Sequence, residues 1–283
     1  MDVCCAAGSP VSVDYRPRGS FEEVGGVPVY TTGSGSKAII AIYDIFGFKY
    51  SQFQQVCDRL AAAGYVIVAP DIFRGQPWSL DKFPPKPEDN FKGWIQSYSW
   101  EAVVKKDVYA VVDALRSRGV TQFASLGFCW GAAMAIQALH DAATFSAAGM
   151  LHPSLFGQDK ELCSAAKGPV ACVSTPGDPY ETVQEIFNST EWGPRCVYRR
   201  YDNMIHGFCG ARGKFDDADV VKAVGEVLAR VRPNLKQQRE EQERLYAEQM
   251  KKLDAILEQQ IKAKKAAGAN TTPEAQKGGA AKS

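Results

Sequence analysis

The residue best suited to nucleophilic chemistry is Cys129, in the stretch Gly127-Phe-Cys129-Trp-Gly131. A strand-like segment, 121–126, precedes this stretch, and an Ala-rich helical segment, 132–139, follows it. Glycines on both sides let a strand and a helix approach closely at a sharp turn, which lifts the central side chain above the sheet. The N–H groups and the dipole at the start of the helix favour an anion there. The pattern predicts a thiol nucleophile; a buried structural cysteine is the alternative.

Two further residues, Asp178 and His206, follow predicted strands and could complete a triad with Cys129. The imidazole of His206 would accept the thiol proton and later protonate the leaving group, while Asp178 would fix the tautomer and stabilise the cation. The chain order nucleophile, acid, base agrees with one known order of such triads. His152, just after a predicted strand, is the alternative base, whereas His140 is interpreted as structural. For Asp178 the alternative is a simple turn residue in Gly-Asp-Pro.

An acyl-transfer intermediate at this thiol would need N–H donors placed in advance around its oxyanion. In a strand–turn–helix arrangement these donors are expected at Trp130, directly after the nucleophile, and at Ile45, in the loop after the first core strand. The predicted oxyanion hole therefore consists of two backbone amides.

The elements that must position these residues alternate between strands and helices. Unbroken apolar runs at 37–47 and 65–69 indicate strands buried on both faces, as in a parallel sheet. The remaining predicted elements are a hairpin at 24–30, helices at 52–63, 101–118, 181–189 and 216–231, and strands at 145–151, 168–175 and 195–201. An aromatic-rich loop is expected at 72–99. This alternation predicts an α/β fold with a mostly parallel twisted sheet flanked by helices.

Composition excludes several other classes of protein. The 283 residues carry a net charge of +1, so no global field points to nucleic acid or to an acidic membrane. No apolar run approaches the ~20 residues of a transmembrane helix, and the N-terminus lacks a signal-peptide pattern. Eight irregularly spaced cysteines, with no C-x-x-C pair, suit neither a disulfide framework nor a structural zinc site. A cytoplasmic protein without a metal is expected.

The composition changes at Asn234, so we predict a domain over 1–233 and a tail over 234–283. Residues 236–265 are rich in charged and Gln side chains, with a short apolar seam that suits a coiled coil and hence self-association or a protein partner. A solvated single helix is the alternative for this segment. The last stretch, 266–283, has a low-complexity composition typical of disorder.

Several short motifs together resemble the dienelactone hydrolase (carboxymethylenebutenolidase) family. They are Gly127-Phe-Cys129-Trp-Gly131-Ala, Asp44-Ile-Phe-Gly47, Pro70-Asp71, Gly177-Asp178 and His206-Gly-Phe208, and the similarity covers about residues 20–232. The resemblance implies a cytosolic, cofactor-free enzyme with the α/β-hydrolase fold that cleaves lactone or ester bonds through a thioester intermediate.

The same resemblance assigns roles to three more residues. In bacterial members a glutamate at the position of Asp44 pairs with the thiol, and Asp44 is one methylene shorter. Family members bind the substrate carboxylate with arginines, for which Arg74 and Arg212 are the matching candidates. The spacing from His206 to Arg212 is longer than in the bacterial pattern. Turn capping is the alternative for Asp44, and a solvated surface position is the alternative for each arginine.

Three functional hypotheses follow from these observations. The first is a thiol hydrolase that acts on a small lactone or activated ester. The second is a non-catalytic scaffold whose tail binds a partner. The third is a redox-responsive protein that pairs Cys129 with another thiol, the candidates being Cys163, Cys172, Cys196 and Cys209.

Overall fold

The computed structural model describes residues 9–222, together with Gly225 and Lys251. Its eight strands are Ser20–Val24 (β1), Val27–Thr32 (β2), Lys37–Ile42 (β3), Val66–Pro70 (β4), Gln122–Phe128 (β5), Phe145–Leu151 (β6), Val170–Ser174 (β7) and Val197–Arg200 (β8). The α-helices within residues 9–217 are Gln52–Ala61 (α1), Phe91–Ser97 (α2), Lys105–Ser117 (α3), Trp130–Ala138 (α4), Asp159–Ser164 (α5) and Tyr180–Asn188 (α6).

The strands form one sheet in the order β1-β2-β4-β3-β5-β6-β7-β8. From β4 to β8 all neighbours are parallel, whereas β1 and β2 join antiparallel at one edge. The central strand β3 is buried from Ala38 to Ile42, which explains its unbroken apolar sequence. Because parallel strands end at a common edge, the residues that follow β3, β5, β6, β7 and β8 are brought together there. The predicted α/β architecture is confirmed.

Most predicted elements are present, and the main correction concerns the segment 72–99. This segment was expected to be a loop, but it contains the helix α2. Four prolines precede α2 in this segment, and together with its seven-residue length they conceal the helical periodicity in the sequence. The aromatic side chains of this segment pack together, with Trp94 against Trp78 at 5.1 Å and against Phe73 at 4.9 Å between ring centroids.

The C-terminal predictions lie largely outside the described residues. Of the helix expected over 216–231, residues 218–222 are helical. The chain divides into two units, Met1–Arg232 and Pro233–Ser283, and the interpretation of 234–283 as a charged helix and tail stays a prediction. Among the described residues, no helix combines the length and apolar composition needed to cross a membrane.

Candidate active site

The turn between β5 and α4 holds Cys129 in an unusual backbone conformation. Cys129 has φ 52° and ψ −115°, and it is the residue directly before the first turn of α4. A β-carbon at Gly127 would collide with the carbonyl of Gly131, and one at Gly131 would collide with the carbonyls that end β3. The two glycines are therefore required by close backbone approach, and the strand–turn–helix geometry agrees with the prediction.

His206 and Asp178 form a buried pair at the same edge of the sheet. The Nδ1 atom of His206 lies 2.7 Å from Oδ1 of Asp178. The other carboxylate oxygen, Oδ2, accepts hydrogen bonds from the backbone N–H (2.7 Å) and the hydroxyl (2.9 Å) of Thr175. These bonds fix the carboxylate, which in turn orients the imidazole. Sequence reasoning did not single out Thr175, although the Thr-Pro-Gly-Asp turn suggests a side-chain-capped turn.

A small cavity joins five of the predicted site residues. Its volume is about 20 Å³, close to the space that one water molecule needs. The lining residues are Asp44, Ile45, Phe46, Phe83, Cys129, His206, Gly207, Ala211 and Arg212. The candidate nucleophile Cys129, the candidate base His206, Asp44 and Arg212 therefore meet at one cavity, although they come from distant parts of the chain.

Asp44 is a buried carboxyl group held by backbone donors. Its Oδ1 accepts a hydrogen bond from the N–H of Phe46 (2.9 Å), and its Oδ2 accepts one from the N–H of Ala211 (3.1 Å). Burial raises the pKa of Asp44, while these two N–H groups and the charges of Arg212 and His206 oppose the rise. The direction of the pKa shift means that this carboxyl group keeps its proton to a higher pH than a solvated aspartate does.

The two candidate arginines have different surroundings. Arg212 is 6% exposed, lines the cavity, donates from Nη1 to the carbonyl of His206 (3.0 Å) and lies over the ring of Phe83. Arg74 has a side chain that is 44% exposed, and its guanidinium contacts both carboxylate oxygens of Asp107, at 2.8 and 2.9 Å. It is not among the cavity-lining residues. The Nη2 group of Arg74 is thus engaged by Asp107, and the substrate-binding role of Arg74 stays a prediction.

The two residues predicted to supply oxyanion N–H donors, Trp130 and Ile45, lie at the start of α4 and in the loop after β3. Trp130 is the first residue of α4, so its N–H precedes the intrahelical hydrogen bonds. Ile45 lines the cavity, and its carbonyl accepts a hydrogen bond from the N–H of Trp78 (2.9 Å), which ties the loop after β3 to the aromatic segment. The role of these two amides as an oxyanion hole stays a prediction.

The other two histidines have surroundings unlike that of His206. His152 is completely buried, its ring lies 5.0 Å from the ring of His206, and burial lowers its pKa well below the usual value. It is His206 that is paired with Asp178, which favours His206 over His152 as the base. His140 lies just after α4, where its Nε2 is 2.9 Å from the carbonyl of Leu162, in agreement with a structural role.

Ser154 contacts the thiol and was not predicted. Its Oγ lies 3.5 Å from Sγ of Cys129, and its side chain is buried in the loop after β6. Nothing in the local sequence marks Ser154, because 25 residues separate it from the cysteine.

A second, larger cavity has a different composition. It has a volume of about 620 Å³ and lies between residues 85–99, the start of α4 and residues 156–158. Trp130 lines it, but Cys129, Asp178 and His206 do not. The candidate catalytic residues Cys129 and His206 therefore line the smaller cavity and not this larger one.

A parallel sheet with a cysteine elbow after β5 and an Asp–His pair after β7 and β8 defines the α/β-hydrolase fold. The model of the dienelactone hydrolase family matches residues 26–239, and the chain belongs to this family of ester and lactone hydrolases.

Individual relatives agree with this placement. An uncharacterized AIM2 family protein of Schizosaccharomyces pombe is 27% identical over 254 residues, covering 82% of this chain and 97% of that protein. A carboxymethylenebutenolidase homolog of Rattus norvegicus is 27% identical over 210 residues, covering 69% of this chain and 81% of its own. Among solved structures, the dienelactone hydrolase-like promiscuous phosphotriesterase P91 from metagenomic libraries has a TM-score of 0.54 at 16% identity, covering 76% and 96% of the two chains. The structural similarity supports the fold.

Proposed function

We propose that this protein hydrolyses a small lactone or activated ester through a Cys129–His206–Asp178 triad and a thioester intermediate. The observation that carries the proposal is the buried His206–Asp178 pair, at 2.7 Å, beside a cavity that the thiol of Cys129 also lines. Lactones and activated esters suit a thiolate nucleophile because their leaving groups depart readily.

The proposed reaction has two half-reactions. His206 takes the proton of Cys129, and the thiolate attacks the carbonyl carbon; the resulting oxyanion is stabilised by the N–H groups of Trp130 and Ile45. The C–O bond then breaks, the leaving alkoxide receives the proton from His206, and the acyl group remains on sulfur. In the second half, His206 accepts a proton from water and the resulting hydroxide attacks the thioester carbonyl. The C–S bond then breaks, the acid product leaves, and the departing thiolate takes the proton back from His206, which restores the starting state. Asp178 stabilises the imidazolium in both halves.

Arg212 is proposed to select substrates that carry a carboxylate. Its guanidinium is buried at the cavity, where a bidentate interaction with a carboxylate would be strong. The present cavity of about 20 Å³ is too small for an ester. Substrate binding would therefore require the cavity to widen beside Phe83 and Arg212, which pack against each other.

The redox hypothesis has less physical support. Burial raises the pKa of Cys163 and of Cys172 to about 12, and it also raises the pKa of Cys209 well above the usual value. Thiols with such pKa values form few thiolates at neutral pH, so they are poor partners for oxidation of Cys129. The cytosol remains the expected compartment, no cofactor enters the proposed chemistry, and a partner for residues 236–265 stays a prediction outside the described part.

The test is hydrolysis of p-nitrophenyl acetate, dienelactone and a simple γ-lactone by the wild type and by Cys129→Ala. We expect turnover by the wild type and a loss of at least about 10³-fold in the variant, since the thiol forms the covalent intermediate. Circular dichroism checks that the variant is folded. Absence of turnover by the wild type on every substrate would favour the scaffold hypothesis, and full activity of Cys129→Ala would exclude the thiol mechanism.

A further inference from the structure

The loop after β6 carries a hydroxyl group to the proposed nucleophile. Ser154 is 2% exposed, and its Oγ lies 3.5 Å from Sγ of Cys129, a separation suited to a hydrogen bond with sulfur. A serine hydroxyl can donate to sulfur, and an ionised sulfur can only accept. The buried contact therefore has the right chemistry to stabilise the charged form of the nucleophile.

Backbone hydrogen bonds hold this contact in place on both sides. The N–H of Cys129 donates to the carbonyl of Leu151 (3.1 Å), and the N–H of Ser154 donates to the carbonyl of Cys129 (3.1 Å). The elbow and the loop after β6 are thus joined by two bonds that flank the side-chain contact. Since both backbones are fixed, the hydroxyl and the thiol are positioned before any substrate arrives.

We propose that Ser154 is a further catalytic residue, whose hydroxyl donates a hydrogen bond to Sγ of Cys129 and stabilises the thiolate. The proposal rests on the proposed function in one respect only, that Cys129 is the nucleophile. The hydrogen bond from Ser154 would stabilise the ionised sulfur in the free protein, before any substrate is attacked.

The charged groups around the thiol explain why a neutral donor is useful there. Asp44, His206 and Arg212 line the same cavity, and His152 lies against His206 in the loop that carries Ser154. An ionised Asp44 would repel a thiolate, whereas the cations of His206 and Arg212 would attract it. A hydroxyl stabilises the thiolate without adding a charge that the buried carboxylate and imidazole must accommodate.

The test measures the alkylation of Cys129 in the full-length chain as a function of pH. Iodoacetamide is the probe, and peptide mass spectrometry follows the Cys129 peptide separately from the other cysteines. For Ser154→Ala we expect the pH midpoint of alkylation to rise by about one unit, which is a roughly tenfold lower rate on the acidic side. Ser154→Thr keeps the hydroxyl, and its midpoint should stay within a few tenths of a unit of the wild-type midpoint.

A matched control exists on β7, where Ser174 makes the same kind of contact with another buried thiol. The Oγ of Ser174 lies 3.4 Å from Sγ of Cys172, and both side chains are buried. Ser174→Ala therefore removes an equivalent hydroxyl group. It shows whether loss of a buried hydroxyl near a thiol by itself alters the alkylation of Cys129. We expect it to leave the Cys129 midpoint unchanged, with thermal melting used to compare the stability of all three variants.

The possible results distinguish the proposal from its alternatives. An unchanged or lowered midpoint in Ser154→Ala, or equal shifts in Ser154→Ala and Ser174→Ala, would overturn it. Alkylation needs no substrate, so a shift confined to Ser154→Ala supports the hydrogen bond even if none of the tested esters is hydrolysed. Conversely, normal ester turnover together with an unshifted midpoint would leave the hydrolase intact and reject the role of Ser154.

Discussion

Single residues at the sheet edge have roles that depend on what already occupies their hydrogen-bonding groups. Both Arg74 and Arg212 resemble the arginines that bind substrate in the family, but only Arg212 lies at the cavity. The guanidinium of Arg74 is bound to Asp107, and this pair links the turn after β4 to α3. Of the two identical side chains, only that of Arg212 is therefore placed where it could bind a substrate in the cavity.

The two arginines lead to a paired prediction. Arg212→Gln should raise KM for an ester that carries a carboxylate by about tenfold or more, because a charge-assisted bond is worth about 1.5–3 kcal/mol, while KM for a neutral ester should change little. Arg74→Gln should leave both KM values near the wild type and lower stability by about 1 kcal/mol, as expected for a partly exposed ion pair.

Steady-state kinetics on the two esters and urea denaturation check this pair of variants. A selective rise in KM for the anionic ester in Arg74→Gln would restore that arginine to substrate binding.

At the scale of secondary structure, close packing of α4 against the sheet positions the candidate site. The helix α4 packs against β3, β5 and β6, and Gly131 at its first turn faces the carbonyls of Ile42 and Tyr43. Because α4 begins so near the end of β3, the elbow raises Cys129 beside Ile45 and Asp44 in the neighbouring loop. The position of Cys129 is thus a consequence of the short distance between α4 and β3.

Gly131→Ala tests this dependence on helix–sheet distance. The new methyl group would overlap backbone atoms that cannot move aside. We therefore expect the free energy of unfolding to fall by about 3 kcal/mol or more, or the protein to fail to fold. Gly225→Ala is the matched control, since Gly225 is also helical and nothing lies within 4 Å of its added β-carbon. That substitution should stabilise the protein by about 0.4–1 kcal/mol. Similar melting temperatures for the two variants would contradict the packing argument.

At the scale of the whole molecule, the sheet edge that carries the candidate site includes buried ionisable groups that make stability depend on pH. His152 is completely buried, and desolvation together with the charges of His206 and Arg212 holds its pKa well below 6.5. The unfolded chain binds a proton at this residue near pH 6.5, whereas the folded protein does not until the pH is lower. Stability should therefore fall as the pH decreases below about 6.5.

The corresponding prediction concerns His152→Phe. Between pH 7.5 and 5.5, protonation of His152 in the unfolded chain should lower the free energy of unfolding of the wild type, by up to about 1.4 kcal/mol per pH unit at the acidic end. The variant lacks this contribution, so its free energy of unfolding should fall less steeply. Denaturant midpoints across the pH range give the two slopes, and their difference cancels contributions from other groups. Parallel slopes would contradict the argument, because they would mean that folding leaves the pKa of His152 unchanged.

The extent to which the sequence predicts the molecule differs between its fold and its site. Buried parallel strands, amphipathic helices and the elbow glycines are local patterns, so the α/β architecture and the strand–turn–helix around Cys129 follow from the sequence. The short helices α2 and α5 could not be predicted from the sequence, because six or seven residues give too little periodicity for a clear signal.

The triad candidates came from the sequence because each follows a strand, and parallel strands end at a common edge. The tertiary structure alone decided which side chains meet there: Ser154 with the thiol, Thr175 with Asp178, and Arg74 with Asp107. The contacts of Ser154 and Arg74 join residues 25 or more positions apart. Local propensity fixes where a strand ends, but the direction of a side chain beyond that end depends on packing against distant elements.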